Sequence, residues 1–363
     1  MPGAMNQSLD LQQFSVTPDV SPAALKTTLA SLLVPGVIAD SQIERRCQQL
    51  DERFRIFAAT CPVPEWAPGL QIDAEIRRQY EVYLPITESR AAITAFCKLA
   101  CRFEPISATT SIAAALSWPD ALARLHPLAV NVNPARLLRR LAVTEQFRFA
   151  FLAALFIPKS FGGSFHRYPL QAAFLHRWLS GQIERLQGRV AILDAACGSG
   201  EGTYAAAAAV VQLGFSVSSS LVEGSTLEPL ELAAAAHGWF PQDQARSLAF
   251  REQLRRLLAS GAGRMIRFRR EDLCNPRLNG NRYDIIICNG LLGGPLLHRK
   301  ETLTGVIGVL AARLNPGGIL LAADHFHGGW KQTTPSATIK ELLTASGLQA
   351  VETGEGVGAV RTG

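Results

Sequence analysis

Residues 190–204 read VAILDAACGSGEGTY: an apolar run closes on Asp194, glycines follow at 198, 200 and 202, and an alanine-rich stretch begins. Glycine removes the Cβ that would hold a ligand away from the backbone. A helix starting just after such a loop offers free N–H groups and partial positive charge to an anionic group. Two cofactor classes compete for this arrangement. The dinucleotide fingerprint spaces its glycines G-x-G-x-x-G around a pyrophosphate. Here the run is Gly198-Ser199-Gly200-Glu201-Gly202, and a carboxylate at Glu201 repels a pyrophosphate. The same carboxylate suits a ligand bearing an ammonium and a sulfonium, which points to S-adenosylmethionine.

Further polar residues stand where an open parallel sheet would gather them, at the carboxyl ends of its strands. Glu223 closes the run SVSSSLVE, 21 residues after Gly202, where a ribose-binding carboxylate is expected. Its replacement by alanine is expected to abolish cofactor binding and leave the fold intact. Asp272, in RREDL, is placed to accept the adenine amino group, with Leu273 against the ring; Asn289, in IIICNG, is placed near the methionine portion.

The acceptor side has two candidate segments. In SFGGSFHRYPLQ, Arg167 or Tyr168 could meet an acidic group as a lid closes over the cofactor. The stretch Ala322-Ala323-Asp324-His325-Phe326-His327-Gly328-Gly329-Trp330 offers His325 or His327 as a general base and Trp330 as a substrate contact. A His-x-His pair with one acid falls short of a metal set, so no metal is expected. Residues 251–270 hold seven arginines against one glutamate. Aromatic interleaving is nearly absent, so a solvated helix face is favoured over a nucleic-acid surface.

The elements that must position these residues follow from the wider pattern. The chain has 363 residues, 48% hydrophobic and 18% charged, which excludes wholesale disorder and allows two domains. The net charge of +6 suits any anionic partner and decides nothing. The seven cysteines are scattered without a C-x-x-C pair and read as reduced core thiols. The N-terminus lacks the pattern of a signal peptide, and no apolar stretch approaches the roughly 18 residues of a membrane span. A soluble cytoplasmic protein is expected.

Residues 1–20 show little periodicity and are expected to be loose. Residues 21–160 read as a helical domain: SQIERRCQQLDERFRIFA spaces Ile43, Cys47, Leu50, Phe54 and Phe57 three or four apart. Residues 161–363 alternate strand and helix, from RVAILDA and EGTYAAAAAVVQL to GGILLAADHF and ATIKELLTASG. Short apolar strands alternating with helices imply a mostly parallel α/β sheet covered on both faces. LQAVETG and VGAVRTG add an antiparallel hairpin at the C-terminal end.

The segments DAACGSGEGTY, LVEGSTLEPLELAAAAHGWF, REDL, YDIIICNGLL and LNPGGILL resemble the Rossmann-like (class I) S-adenosylmethionine-dependent methyltransferases, and among them the chemotaxis-receptor glutamate methyltransferases. The resemblance spans about residues 185–325. It implies a methionine-binding loop at Ala196, Gly198 and Gly200, and a ribose acid at Glu223. It also implies methyl transfer by direct in-line displacement. That family carries Cys-Arg-Asn after its fourth strand, whereas Cys288-Asn289-Gly290-Leu291-Leu292 stands here. The resemblance therefore implies cofactor and fold rather than receptor methylation. A small-molecule acceptor with an oxygen or nitrogen nucleophile is expected. The alternatives are a protein carboxylate acceptor and a module that binds S-adenosylmethionine without turnover.

Overall fold

The computed structural model describes residues 14–60, 73–106, 110–126, 128, 133–159, 165, 167–276, 281–294, 296–324 and 333–362. The chain divides into two units. One comprises Met1–Leu11, Pro22–Lys159 and Trp239–Leu248; the other comprises Gln12–Ser21, Ser160–Gly238 and Ala249–Gly363.

Within the first unit the chain forms α1 (Pro22–Leu32), α2 (Ser41–Thr60), α3 (Ala74–Tyr83), α4 (Ile86–Ala100), α5 (Trp118–Leu125), α6 (Pro134–Val143) and α7 (Glu145–Phe156). The expected apolar stripe of α2 is buried at Ile43, Cys47, Leu50 and Phe57, and α2 packs against α4 and α6. The run ARLLRRLAVTEQFRFAFLAALF breaks at Thr144, which is extended and starts α7. Arg148 makes that break tenable. Its fully buried guanidinium donates to the carbonyls of Leu141 and Ala142 at the end of α6, and to those of Val34 and Gly36. Helix ends leave carbonyls unpaired, and this side chain takes them up.

The second unit begins with β1 (Ser15–Val16) and continues with α8 (Pro169–Gly181), α9 (Ile183–Leu186), β2 (Ala191–Ala195), α10 (Glu201–Gln212), β3 (Leu221–Thr226) and α11 (Pro229–His237). After α12 (Gln244–Ala259) come β4 (Ile266–Arg270), β5 (Tyr283–Ile287), α13 (Lys300–Ala312), β6 (Leu314–Ala322), α14 (Ser336–Ala345), β7 (Leu348–Val351) and β8 (Val357–Arg361). The strands form one sheet in the order β1-β4-β3-β2-β5-β6-β8-β7. β2 through β6 run parallel; β8 is antiparallel to both β6 and β7. Strand order reverses at β2, so ligands should lie beyond the carboxyl ends of β2, β3 and β5.

Residues 14–20, expected to be loose, are instead tied to the sheet. Ser15 and Val16 pair with Arg269 and Phe268 of β4, and the amide of Asp19 donates to the carbonyl of Ala236. Arg251 donates to the carbonyl of Val20, and the His237 ring meets that of Asp19. The segment covers an edge that would otherwise carry unpaired backbone groups.

The two faces of the sheet differ. Leu193 and Ile286 face α13, in a core shared with Val306, Ile307 and Leu310. Asp194 points the other way, toward Thr203 of α10. Side chains alternate along a strand, so a shift of one residue decides which of these environments an acid enters.

Candidate functional site

The glycine loop leaves β2 through Ala196, whose φ of 66° is left-handed although it bears a Cβ. The Cys197 amide donates to the Ser225 carbonyl at 2.9 Å, pinning the loop to β3; Gly200, at φ 86°, caps α10. A Cβ on Gly200 would stand 2.8 Å from the Ala235 Cβ and 3.0 Å from the Phe268 ring. One on Gly202 would stand 2.9 Å from Asp194 Oδ2. These two glycines let the helix sit on the sheet. Gly198 differs, because a Cβ there would meet only Glu231 Oε1 among the described residues, at 3.9 Å. It is the glycine that leaves backbone open beside a carboxylate.

Asp194 accepts from the Thr203 hydroxyl at 2.7 Å and from the Thr203 amide, so it holds the first turn of α10 against β2. Burial pushes its carboxyl up to about 7, with Glu201 adding to the shift.

Glu223 does not stand at the crevice. β3 runs on through Gly224, Ser225 and Thr226, and Glu223 sits in register with Leu193 on the α13 face. It is 2% exposed and accepts from the Arg269 guanidinium and, at 2.6 Å, from the Tyr283 hydroxyl. Arg269 also pairs with Glu271 at 3.0 Å, and Glu271 with Arg313 at 3.0 Å. Two buried carboxylates thus balance two guanidiniums beneath the sheet. Opposite charges at contact are what make such burial tolerable.

The carboxylate that reaches the glycine loop is Glu231. It lies in the first turn of α11, and its Oε2 accepts from the Thr226 hydroxyl at 2.6 Å. Glu228 caps the same helix, accepting from the Leu230 amide at 3.1 Å, while its Oε2 is buried with no hydrogen-bond partner among the described residues. Burial pushes the Glu228 carboxyl up to about 8. Burial also drives the Cys197 thiol well up, and Asp194, Glu231 and Glu201 add to the effect. Three carboxylates therefore surround the loop. An acidic setting around bare backbone fits a cationic amino acid and sulfonium, and would repel a pyrophosphate.

Asp272 lies just beyond β4 and folds its carboxylate onto its own turn, accepting from the Cys274 amide and the Asn275 side chain, each at 2.9 Å. Leu273 is buried in the core cluster with Leu193 and Ala195. Asn289 follows β5 and exchanges two hydrogen bonds with Gln171 of α8, at 2.8 and 3.1 Å. Its oxygen also accepts from the Ala323 amide at 2.8 Å, so one side chain joins α8, β5 and β6. Glu355, in the β7–β8 turn, accepts from the amides of Leu170 and Gln171 at the start of α8.

Arg167 and Tyr168 sit at that same helix start, the guanidinium 5.9 Å from the tyrosine ring centroid. Burial raises the Tyr168 hydroxyl to about 12, with Arg167 opposing and Asp324 and Glu355 reinforcing the shift. Asp324, after β6, is thus a neighbour of Tyr168. His325, His327 and Trp330 lie outside the described residues, as do Phe161 and His166. No group of three His, Cys, Asp or Glu among the described residues is placed to hold a metal ion.

A cavity of about 370 Å³ opens at the carboxyl ends of β5 and β6, with Cys288, Leu292, Ala323, Asp324, Thr334 and Ile339 in its wall. Gly293, at φ 78°, brings the loop after β5 against it: a Cβ there would stand 3.0 Å from the Thr334 Cβ.

Thr226, Glu228 and Glu231 were not singled out by their sequence, yet a signal was present. Glu228-Pro229-Leu230-Glu231 carries a capping acid, a proline at the first helical position and an acid two residues later, which marks a helix start. That start moves the end of β3 to Thr226 and takes Glu223 off the crevice.

Residues 163–325 match the family described as CheR methyltransferase, SAM binding domain, somewhat under half of the chain. No curated protein matches the chain. Solved structures similar to it include an S-adenosylmethionine-dependent methyltransferase from Clostridium acetobutylicum ATCC 824, 14% identical over 54% of this chain and 92% of that one, with a TM-score of 0.36. Another is magnesium protoporphyrin IX methyltransferase from Synechocystis PCC 6803 with bound SAH, 18% identical over 60% and 94%, TM-score 0.34. A third is an amino pentose methyltransferase from Micromonospora echinaspora, 16% identical over 56% and 99%, TM-score 0.33. No helix among the described residues is long and apolar enough to cross a membrane. With a family match that spans the glycine loop and all five parallel strands, the chain carries a class I S-adenosylmethionine-dependent methyltransferase domain related to the CheR family.

Proposed function

We infer that the methyl acceptor of this enzyme is a small molecule presenting an oxygen or nitrogen nucleophile. The observation that carries this reading is the cavity of about 370 Å³ at the carboxyl ends of β5 and β6, a volume within the usual range for small-molecule sites.

On the cofactor side, Gly198 gives the methionine moiety close access to the loop, and Glu201 faces its positive charges. Glu231, held by Thr226, receives the ribose hydroxyls in place of Glu223, and Asp272 remains the candidate for the adenine amino group. Asp194 and Asn289 act one step back, as braces of α10 and α8. The cofactor supplies a methyl group already activated by its positive sulfur. The protein is left to align the nucleophile and exclude water, and such alignment can be worth on the order of 7–11 kcal/mol. His325 or His327 remains the candidate for taking up the acceptor's proton. Arg167 and Tyr168 at the start of α8 are candidate lid residues beside Asp324.

A protein carboxylate acceptor is the second reading, favoured by the family match over residues 163–325. Against it, the run after β5 lacks the arginine of the chemotaxis-receptor enzymes. Incubation with methyl-labelled S-adenosylmethionine and a cell lysate separates the two. Label in the small-molecule extract supports the first reading. Label confined to protein as base-labile ester would overturn it.

A further inference from the structure

The first turn of α8 is capped from far along the chain. Amides at a helix start have no partner within the helix. Pro169 has no N–H to offer, and the Ala172 amide already donates to the Tyr168 carbonyl at 2.9 Å. Leu170 and Gln171 are left, and both amides donate to one oxygen, Oε2 of Glu355, at 2.9 and 3.1 Å. A cap that served the helix alone would come from Ser, Thr, Asp or Asn at the residue before it. Tyr168 stands there and makes no side-chain cap. The cap is instead carried by the β7–β8 turn, outside residues 163–325 that hold the family match.

Glu355 is itself held. The Thr353 hydroxyl, on a residue 3% exposed, donates to the Glu355 carbonyl at 2.9 Å. An added Cβ on Gly356 would collide with the Ala322 carbonyl and stand 2.8 Å from the Ala323 Cβ, so the turn is pressed onto the end of β6. Gln171 is gripped twice, its amide by Glu355 and its side chain by Asn289 after β5. The start of α8 is thus fixed to the carboxyl ends of the strands by two separate ties. Pro169 passes the constraint upstream, because its ring fixes φ and restricts the residue before it. That residue is Tyr168, whose hydroxyl pKa the Glu355 carboxylate helps to raise, and Arg167 precedes it.

We propose that Glu355 is a positioning residue for the amino-acid end of the cofactor: by fixing the first turn of α8 it sets Arg167 and Tyr168 where a lid over the methionine portion needs them. The C-terminal hairpin then belongs to the binding machinery and does more than finish the sheet. This rests on the lid role given to Arg167 and Tyr168 above.

The test compares two ligands by calorimetry on the full chain. S-adenosylhomocysteine carries the amino-acid end, and 5′-methylthioadenosine lacks it while keeping the adenosine and the sulfur. Glu355→Ala should weaken S-adenosylhomocysteine about tenfold, the size of one charge-assisted hydrogen bond, and move methylthioadenosine by less than about twofold. Glu355→Gln, whose single amide oxygen can accept from both N–H groups, should stay within about threefold of the parent for both ligands. In an Arg167→Met, Tyr168→Phe background, Glu355→Ala should cost nothing further, which marks it as acting through those residues. A merely structural cap would weaken both ligands alike and would do so in either background. Unchanged S-adenosylhomocysteine affinity in Glu355→Ala, equal losses for the two ligands, or a Glu355→Gln variant as weak as Glu355→Ala would each overturn the proposal. If Arg167→Met, Tyr168→Phe alone binds S-adenosylhomocysteine as the parent does, the lid reading itself falls and takes the proposal with it.

Discussion

Exchanging the roles of Glu223 and Glu231 gives the sharpest test of how the crevice is built. Glu231→Gln keeps the shape of the side chain and an oxygen that can still accept from the Thr226 hydroxyl, now 2.6 Å away. Only the charge is lost. Hydrogen bonds to a charged group are worth about 1.5–3 kcal/mol, so affinity for S-adenosylhomocysteine should fall roughly 10- to 150-fold while the melting temperature barely moves. Glu223→Gln should do the reverse. The network beneath the sheet pairs Glu223 and Glu271 with Arg269 and Arg313, so removing one carboxylate leaves one buried positive charge uncompensated. Breaking a buried pair costs about 3–5 kcal/mol, and Arg269 keeps its contact to Glu271 at 3.0 Å, which argues for the lower end. Denaturant unfolding and calorimetry on the two variants read both effects. The reasoning fails if Glu223→Gln loses tenfold or more in affinity at unchanged stability while Glu231→Gln binds normally.

The glycines of the loop should separate in the same experiments. Gly200→Ala combines a left-handed φ of 86° with contacts of 2.8 and 3.0 Å, and should destabilise by about 2–5 kcal/mol. Gly198→Ala meets little, so its stability should fall by no more than about 2 kcal/mol while cofactor affinity drops, since its Cβ would enter the open side of the loop. Ala196→Gly should raise stability by about 0.5–1 kcal/mol in a urea titration, relieving the φ of 66° at some cost in chain entropy. Asp194, held up to about 7, binds its proton more tightly folded than unfolded. Between about pH 4 and 7 the folded chain carries the extra proton, so stability falls as pH rises through that window, and Asp194→Asn should flatten the slope of the urea midpoint over pH 5–7.

What the sequence revealed, and what it hid, depended on side-chain direction. The run VAILDAACGSGEGTY reads directly as strand, loop and helix because apolar residues, glycines and alanines each restrict the backbone in one way. The end of β3 was harder. Gly224, Ser225 and Thr226 carry no β-branched apolar residue, yet they are buried, and the Phe268 ring takes the space above Gly224. Placing the strand end at Glu223 instead of Thr226 chose the wrong face of the sheet for the acid. Two residues of β1 are too short to show a period, and their pairing comes from β4, far along the chain. The basic stretch after α11 reads as a solvated face, and α12 does bury only Phe250 and Leu254 of its 16 residues.

The placement of β1 imposes an order of events on synthesis. Its residues leave the ribosome about 250 residues ahead of the strand that receives them, at Phe268 and Arg269. Until both exist, the amide of Arg270 has no carbonyl from Phe14 to satisfy it, and the β4 border stays open to strangers. A contiguous piece cut at residue 160 to isolate the cofactor-binding unit would carry that open border permanently. Two such pieces would find in one another the strand each had lost.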